Sequence, residues 1–138
     1  MYPDLEPIEP AEAVEMYLAE KRPEFADATL RSHRSRLGHF IQWCEEEGVT
    51  NINSLTGRDL HRYRLWRRED GNLALASEKT QMDTIRVFIR WAETVSAVQP
   101  DLAEKVVSPT LTGDDNVRDV MVDAEEAEQI LDHLHTYE

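Results

Sequence analysis

Cysteine, lysine, glycine and long apolar runs are all scarce in this chain. Cys44 is the single cysteine among 138 residues, so no disulfide can form within the chain. It falls on the apolar side of an expected helix and reads as core rather than as a reactive thiol, because free cysteines are commonly buried. No apolar run approaches the roughly 18 residues of a membrane span. Met1-Tyr2-Pro3-Asp4 has neither the basic nor the hydrophobic region of a signal peptide. The expectation is a cytoplasmic protein with no membrane partner. The five glycines form no phosphate-cradling loop, and neither a paired-cysteine metal spacing nor a Gly-x-Ser-x-Gly elbow occurs. His133 and His135 would stand about 200° apart on a helix and cannot chelate one ion together. Carboxylates are too abundant for any pair to be singled out for acid–base work. The reading assigns no catalytic residue, no metal ligand and no cofactor.

Only three of the fifteen basic residues are lysine; twelve are arginine, set against 28 acids for a formal net charge of −13. That composition is halophile-like. Near 1 M salt the Debye length is about 3 Å, so repulsion among surface carboxylates is largely screened. The charge is also segregated along the chain. Eleven bases and eight acids lie between Ala28 and Trp91, a net of +3, while the remainder carries four bases and twenty acids, a net of −16. A polyanion would meet the middle of the chain rather than its ends. In high salt it would have to be held by close hydrogen bonds and shape, since affinity from counterion release falls with log salt.

At this length, and with 41% apolar content, the chain is one ordinary domain with enough apolar surface for a core. No segment sustains period-two alternation, and the fold class is all-α. Ala11 to Lys21 reads as a short helix with Pro10 in its first turn, Val14, Tyr17 and Leu18 as its buried stripe, and Pro23 ending it. A longer helix starts near Asp27 and carries Leu30, His33, Leu37, Phe40, Ile41 and Cys44 at three- and four-residue steps up to a Gly48 cap. Thr56-Gly57-Arg58-Asp59 forms a capping box that opens a third helix with the stripe Leu60, Tyr63 and Trp66, closed by Gly71. The fourth runs from about Ser77 to Val95 and buries Met82, Ile85, Phe88, Ile89, Trp91, Ala92 and Val95. The Pro- and Gly-containing stretch from Pro100 to Gly113, with Asp114-Asp115 after it, has linker composition. Val117 to Val122 alternates briefly. Asp123 and Glu126 then cap a last helix whose apolar face, Ala127, Ile130, Leu131 and Leu134, has no obvious partner in the chain.

Placed on helical wheels at about 100° per residue, Arg31, Arg34, Ser35, Gly38 and Gln42 share one flank of the second helix. Lys79, Asp83, Arg86 and Arg90 share a narrow arc of the fourth. Two such basic edges suit phosphates on either side of a groove, and Gly38 removes a side chain where a backbone would approach. The same spacing also suits an ordinary salt-bridged face, with Asp83 pairing Lys79 and Arg86; both readings stay open. Arg58, Arg62, Arg64, Arg67 and Arg68 scatter around the third helix and read as solvated surface. Trp43 and Trp91 read as packing residues, and His33 as a core or boundary histidine.

The order of these elements resembles the N-terminal core-binding domain of tyrosine recombinases, the phage-integrase family. Four stretches carry the resemblance. Thr29-Leu30-Arg31-Ser32-His33-Arg34 through Phe40-Ile41-Gln42-Trp43-Cys44 is similar to the family's Thr-opened second helix, with His33 in place of a tyrosine. Asn53 to Leu60 resembles the loop and helix start that follow, and Thr84-Ile85-Arg86-Val87-Phe88-Ile89-Arg90-Trp91 the family's Arg-x-Phe-Phe helix. Val122 to Leu131 looks like the opening of the family's catalytic domain. The resemblance implies a four-helix SAM-like domain over residues 1–108, a linker at 109–118, and the start of a truncated catalytic domain at 119–138. It implies double-stranded DNA as partner, contacted by Thr29, Arg31, Arg34, Ser35, Ser77, Lys79, Thr80, Arg86 and Arg90, with contacts to other recombinase protomers through the C-terminal segment. It places the family's catalytic residues beyond the sequence, so that this chain alone is expected neither to cleave nor to rejoin DNA; Tyr137 is not the nucleophile. A helical protein-interaction module and a dimeric transcription regulator are the alternatives.

Overall fold

Local signals set where each helix starts and stops. The structure, a computed structural model, describes residues 5–111. Its helices are α1 (Pro10–Lys21), α2 (Asp27–Glu47), α3 (Gly57–Gly71) and α4 (Leu75–Thr94), with 3-10 turns at Ile52–Ser54 and Leu102–Lys105 and no strand among the described residues. Pro10 sits in the first turn of α1, where a missing N–H costs nothing. Gly48 ends α2 in the left-handed region (φ 75°) and returns its N–H to the Cys44 and Glu45 carbonyls. The capping box of α3 is complete: the Asp59 N–H donates to Thr56 Oγ1 at 3.2 Å and the Thr56 N–H to Asp59 Oδ2 at 3.0 Å.

Two boundaries differ from expectation. The left-handed cap of α3 is Asn72 (φ 49°), with Gly71 the last helical residue. Asparagine tolerates that conformation better than other side chains, and the bare Gly71 instead leaves room for the Arg67 guanidinium, which a Cβ there would strike. Helix α4 begins at Leu75, two residues before Ser77, behind an Ala74 that makes no side-chain cap.

The apolar stripes converge. Val14, Tyr17, Leu18, Leu37, Phe40, Cys44, Leu60, Tyr63, Met82, Ile85, Phe88, Ile89, Trp91 and Ala92 are buried, and Trp43 with them. Leu30, Ile41 and Trp66 pack against this core while partly exposed. Burial, then the Asp59 and Glu45 carboxylates, push the Cys44 thiol up to about 12, so it stays protonated and inert. Val95 departs from its stripe: the helix ends at Thr94, and Val95 turns out to solvent as the cap.

Chain direction alternates through the bundle. Arg34 and His33 of α2 meet Glu15 and Tyr17 of α1, so these two helices run antiparallel. Arg62 reaches Glu47 at one end of α3, while Arg67 and Asp70 act on His39 near the other, so α3 is antiparallel to α2. Helix α4 folds back on α3 through Arg67–Gln81 and Arg68–Glu78. Two reversals leave α2 and α4 parallel. They touch through Arg36 Nη1 donating to Thr84 Oγ1 at 3.1 Å, a separation of 48 residues, and through Phe40 and Phe88 at the same separation, with ring centroids 6.1 Å apart.

The core also extends past the linker boundary that composition suggested at Pro100. Leu102, Ala103 and Val106 are buried, and Glu93 accepts the backbone N–H groups of Asp101 (3.1 Å) and Ala103 (2.8 Å). On the N-terminal side, the Glu6 N–H donates to the Ser96 carbonyl at 3.0 Å, and Ile8 packs on the core. No described helix is long and apolar enough to cross a membrane. The expectations for residues 112–138, including the last helix with Ile130, Leu131 and Leu134 and the His133-x-His135 pair, lie outside the described residues.

Candidate nucleic-acid interface

Parallel running sets the register of the two basic edges. Arg36 meets Thr84 and Phe40 meets Phe88, so Gly38 of α2 and Arg86 of α4 lie in the stretch where the two helices touch. Both helices begin, at Asp27 and Leu75, behind an alanine N-cap without a side-chain hydrogen bond. Thr29, Arg31, Ser35, Gly38 and Gln42 are exposed on α2, and a Cβ built at Gly38 would meet nothing within 4 Å. The last turn of α2 reverses this character, with Glu45, Glu46 and Glu47 exposed and Gln42 donating to Glu46 at 3.1 Å.

The nine residues expected to touch DNA do not behave alike. Arg31 and Arg90 are exposed and make no ion pair or hydrogen bond with another described residue. Arg34 turns away from α4 toward α1, where it grips Glu15 through two hydrogen bonds of 2.7 and 3.3 Å. Lys79 pairs with Asp83 at 2.8 Å, and Arg86 with the same carboxylate at 3.0 Å, as the salt-bridged reading required. Burial pushes the Asp83 carboxyl up, but hydrogen bonds from Lys79, Ser108 and Arg86 outweigh it and hold the group below its ordinary value. Thr80 returns its hydroxyl to the Ala76 carbonyl at 3.1 Å, and Ser77 is half-buried in the first turn of α4.

Three of the five arginines of α3 depart from the solvated surface expected of them. Arg58 and Arg62 are exposed, Arg62 pairing with Asp59 at 3.0 Å. Arg67 is buried, with its Nε donating to Gln81 Oε1 at 3.3 Å. Arg68 forms a fork on Glu78 (2.8 and 3.1 Å), and Arg64 Nε lies 3.6 Å from the same carboxylate, which is 1% exposed. The signal was in the wheel. Arg67 follows Leu60 and Tyr63 on the stripe of α3, and Glu78 precedes Met82 and Ile85 on that of α4. Buried charges must be paired, and each of these two finds its partner elsewhere: Glu78 takes Arg68 and Arg64 across the helix contact, while Arg67 takes Gln81 and, at 4.0 Å, Asp70.

His33 occupies the boundary position expected of it. Its Nδ1 lies 3.0 Å from the Tyr17 hydroxyl and the Phe25 ring meets it edge-on. Burial, then the Arg36 guanidinium, lower His33 to about 4, while burial, then Glu24, raise Tyr17 to about 12. Both groups therefore stay neutral, and the Tyr17 hydroxyl and His33 Nδ1 share one hydrogen bond. No group of three or more His, Cys, Asp or Glu among the described residues could hold a metal ion.

Known proteins agree with this architecture. The sequence profile described as phage integrase, N-terminal SAM-like domain, matches residues 15–94. The crystal structure of the N-terminal domain of a phage integrase/site-specific recombinase from Haloarcula marismortui is similar, with a TM-score of 0.72 and 35% sequence identity over 75% of this chain and 99% of that one. No curated protein matches the sequence. Four helices in this order, a core built from their stripes and a profile match from α1 through α4 lead to one assignment: the chain belongs to the phage integrase N-terminal SAM-like domain family.

Proposed function

We propose that this domain binds double-stranded DNA across the exposed faces of α2 and α4, as the DNA-gripping part of a site-specific recombinase. The observation that carries the reading is the pair Arg31 and Arg90. In a protein of net charge −13, two exposed arginines without acidic partners sit on parallel helices in contact. Each keeps its full guanidinium for a phosphate. Ser35 and the bare Gly38 between them let a sugar–phosphate backbone approach α2 closely, and Glu45 to Glu47 limit the footprint at its far end. Arg34, Lys79 and Arg86 contribute by exchanging a carboxylate for a phosphate, so they add less. Strand cleavage is not assigned to this chain, because the matched region is the non-catalytic N-terminal domain of the family.

The test is a pair of charge-matched double reversals, measured by titration with duplex DNA at several salt concentrations. Arg31→Glu with Arg90→Glu should weaken binding to all sequences and make the negative slope of log K against log salt shallower by about 2, since each lost phosphate contact removes roughly 0.9. Arg22→Glu with Arg58→Glu changes two exposed arginines that lie off this face and should do much less. If the second pair is the more damaging, the DNA lies elsewhere. If neither matters, the domain is an interaction module.

A further inference from the structure

Where the chain leaves the last core turn, residues 106–108 cross the open edge of α3 and α4 as a strap. Val106 is buried, but Val107 is 57% exposed and Ser108 half-exposed, so beyond Val106 the hold is polar. Arg86 Nη2 donates to the Val106 carbonyl at 2.8 Å and to Ser108 Oγ at 3.0 Å. Ser108 Oγ donates to Asp83 Oδ1 at 2.7 Å, and Arg64 Nη1 reaches the Val107 carbonyl at 3.4 Å. Arg86 Nη1 is on Asp83.

This geometry decides what Arg86 can do. A guanidinium grips a phosphate bidentately through a fork, either Nε with Nη2 or Nη1 with Nη2. Both forks need Nη2, and its two protons are already on the strap. Lys79, on the proposed DNA face, shares the Asp83 carboxylate that also holds Ser108. One network thus ties the exit of the chain to the two α4 cations nearest the start of that face.

We propose that the strap is a built-in competitor for the phosphate site at Lys79 and Arg86, so that DNA engagement there and release of residues 106–108 are coupled. This rests on the reading that α4 faces DNA. Linkage makes the coupling reciprocal: whatever loosens the strap tightens DNA binding by the factor with which DNA loosens the strap. DNA engagement then frees the direction in which the following residues leave the domain.

Ser108→Ala removes an acceptor from Arg86 and a donor from Asp83 without changing charge. It should raise affinity for duplex DNA by roughly 2- to 10-fold, the worth of one hydrogen bond. In parallel, a nitroxide on Thr110→Cys, an exposed position with Cys44 buried, should become more mobile when duplex DNA is added. Unchanged or weaker binding by Ser108→Ala, or a label that DNA leaves as it was or slows, overturns the strap proposal. Arg31→Glu with Arg90→Glu separates this failure from failure of the DNA reading. If that pair loses affinity while Ser108→Ala gains none, only the strap is wrong; if that pair loses nothing, the DNA reading falls first.

Discussion

Replacing Glu78 by alanine should be among the most destabilising single changes in α4, although an acid at that position looks like surface. Its carboxylate is 1% exposed and holds Arg68 through a 2.8 and 3.1 Å fork, with Arg64 Nε at 3.6 Å. Arg64 Nε is buried and has no hydrogen-bond partner, so the nearby negative charge is what compensates it. Removing one member of a buried pair costs about 3–5 kcal/mol, because the other is left uncompensated. The Arg68 side chain is 42% exposed and would regain water, which places the expected loss near the lower bound, about 3 kcal/mol. Glu78→Gln keeps the shape and one acceptor and should lose about 1–2 kcal/mol. Urea denaturation measures this: with slopes of about 1–3 kcal/mol per molar, the Ala variant's midpoint should fall by roughly 1–3 M. A cycle with Arg68→Ala should show a coupling above about 1 kcal/mol. A loss below about 1 kcal/mol in Glu78→Ala, or a coupling near zero, would refute the argument that this pair cross-links α3 to α4.

Phe40, buried against Tyr63, Trp43 and Phe88, should cost about 3–5 kcal/mol on truncation to alanine, read as a lower denaturation midpoint; under 1 kcal/mol would mean that α2 is rotated from its stated face. Tyr63 has a buried hydroxyl without a hydrogen-bond partner, so Tyr63→Phe should leave stability unchanged or raise it by up to about 1 kcal/mol, and a clear loss would reveal a hidden partner. His33 is held at about 4, below its ordinary 6.5. The unfolded chain therefore takes up a proton that the folded one refuses as pH drops from 6.5 toward 4, and stability should fall over that window by about 2–3 kcal/mol after allowance for partial exposure. Denaturation midpoints between pH 7 and pH 5 check it, where carboxylate titration interferes least, and His33→Phe should flatten the slope.

Sequence periodicity was enough to place the four helices because stripes, caps and breaks agree with one another there, from Pro10 to the Thr56–Asp59 box. It failed at Leu102, Ala103 and Val106, where a single 3-10 turn is too short to show a period and Pro100 suggests a linker. At Arg67 the charge points to solvent, while its place after Leu60 and Tyr63 on the stripe of α3 points inward, and the stripe wins. The candidate site was only partly legible. A wheel shows that Arg31 and Arg34 share a flank, but not that Arg34 finds Glu15 on α1, nor that Ser108, 22 residues beyond Arg86, returns to occupy it. Long-range partners of long side chains leave no mark on local spacing.

Because α3 runs back between them, α2 and α4 point the same way, and the face they form has a heading. In an antiparallel pair the two helix starts would lie at opposite ends. Here the uncapped starts of both helices, with Thr29 and Ser77, mark one end, and the exposed glutamates of α2 mark the other. A linear partner with a direction of its own, laid along this surface, would meet different chemistry in its two orientations. For two copies held in that way, an inverted pair of sites would set the domains head to head or tail to tail, and a direct repeat nose to tail.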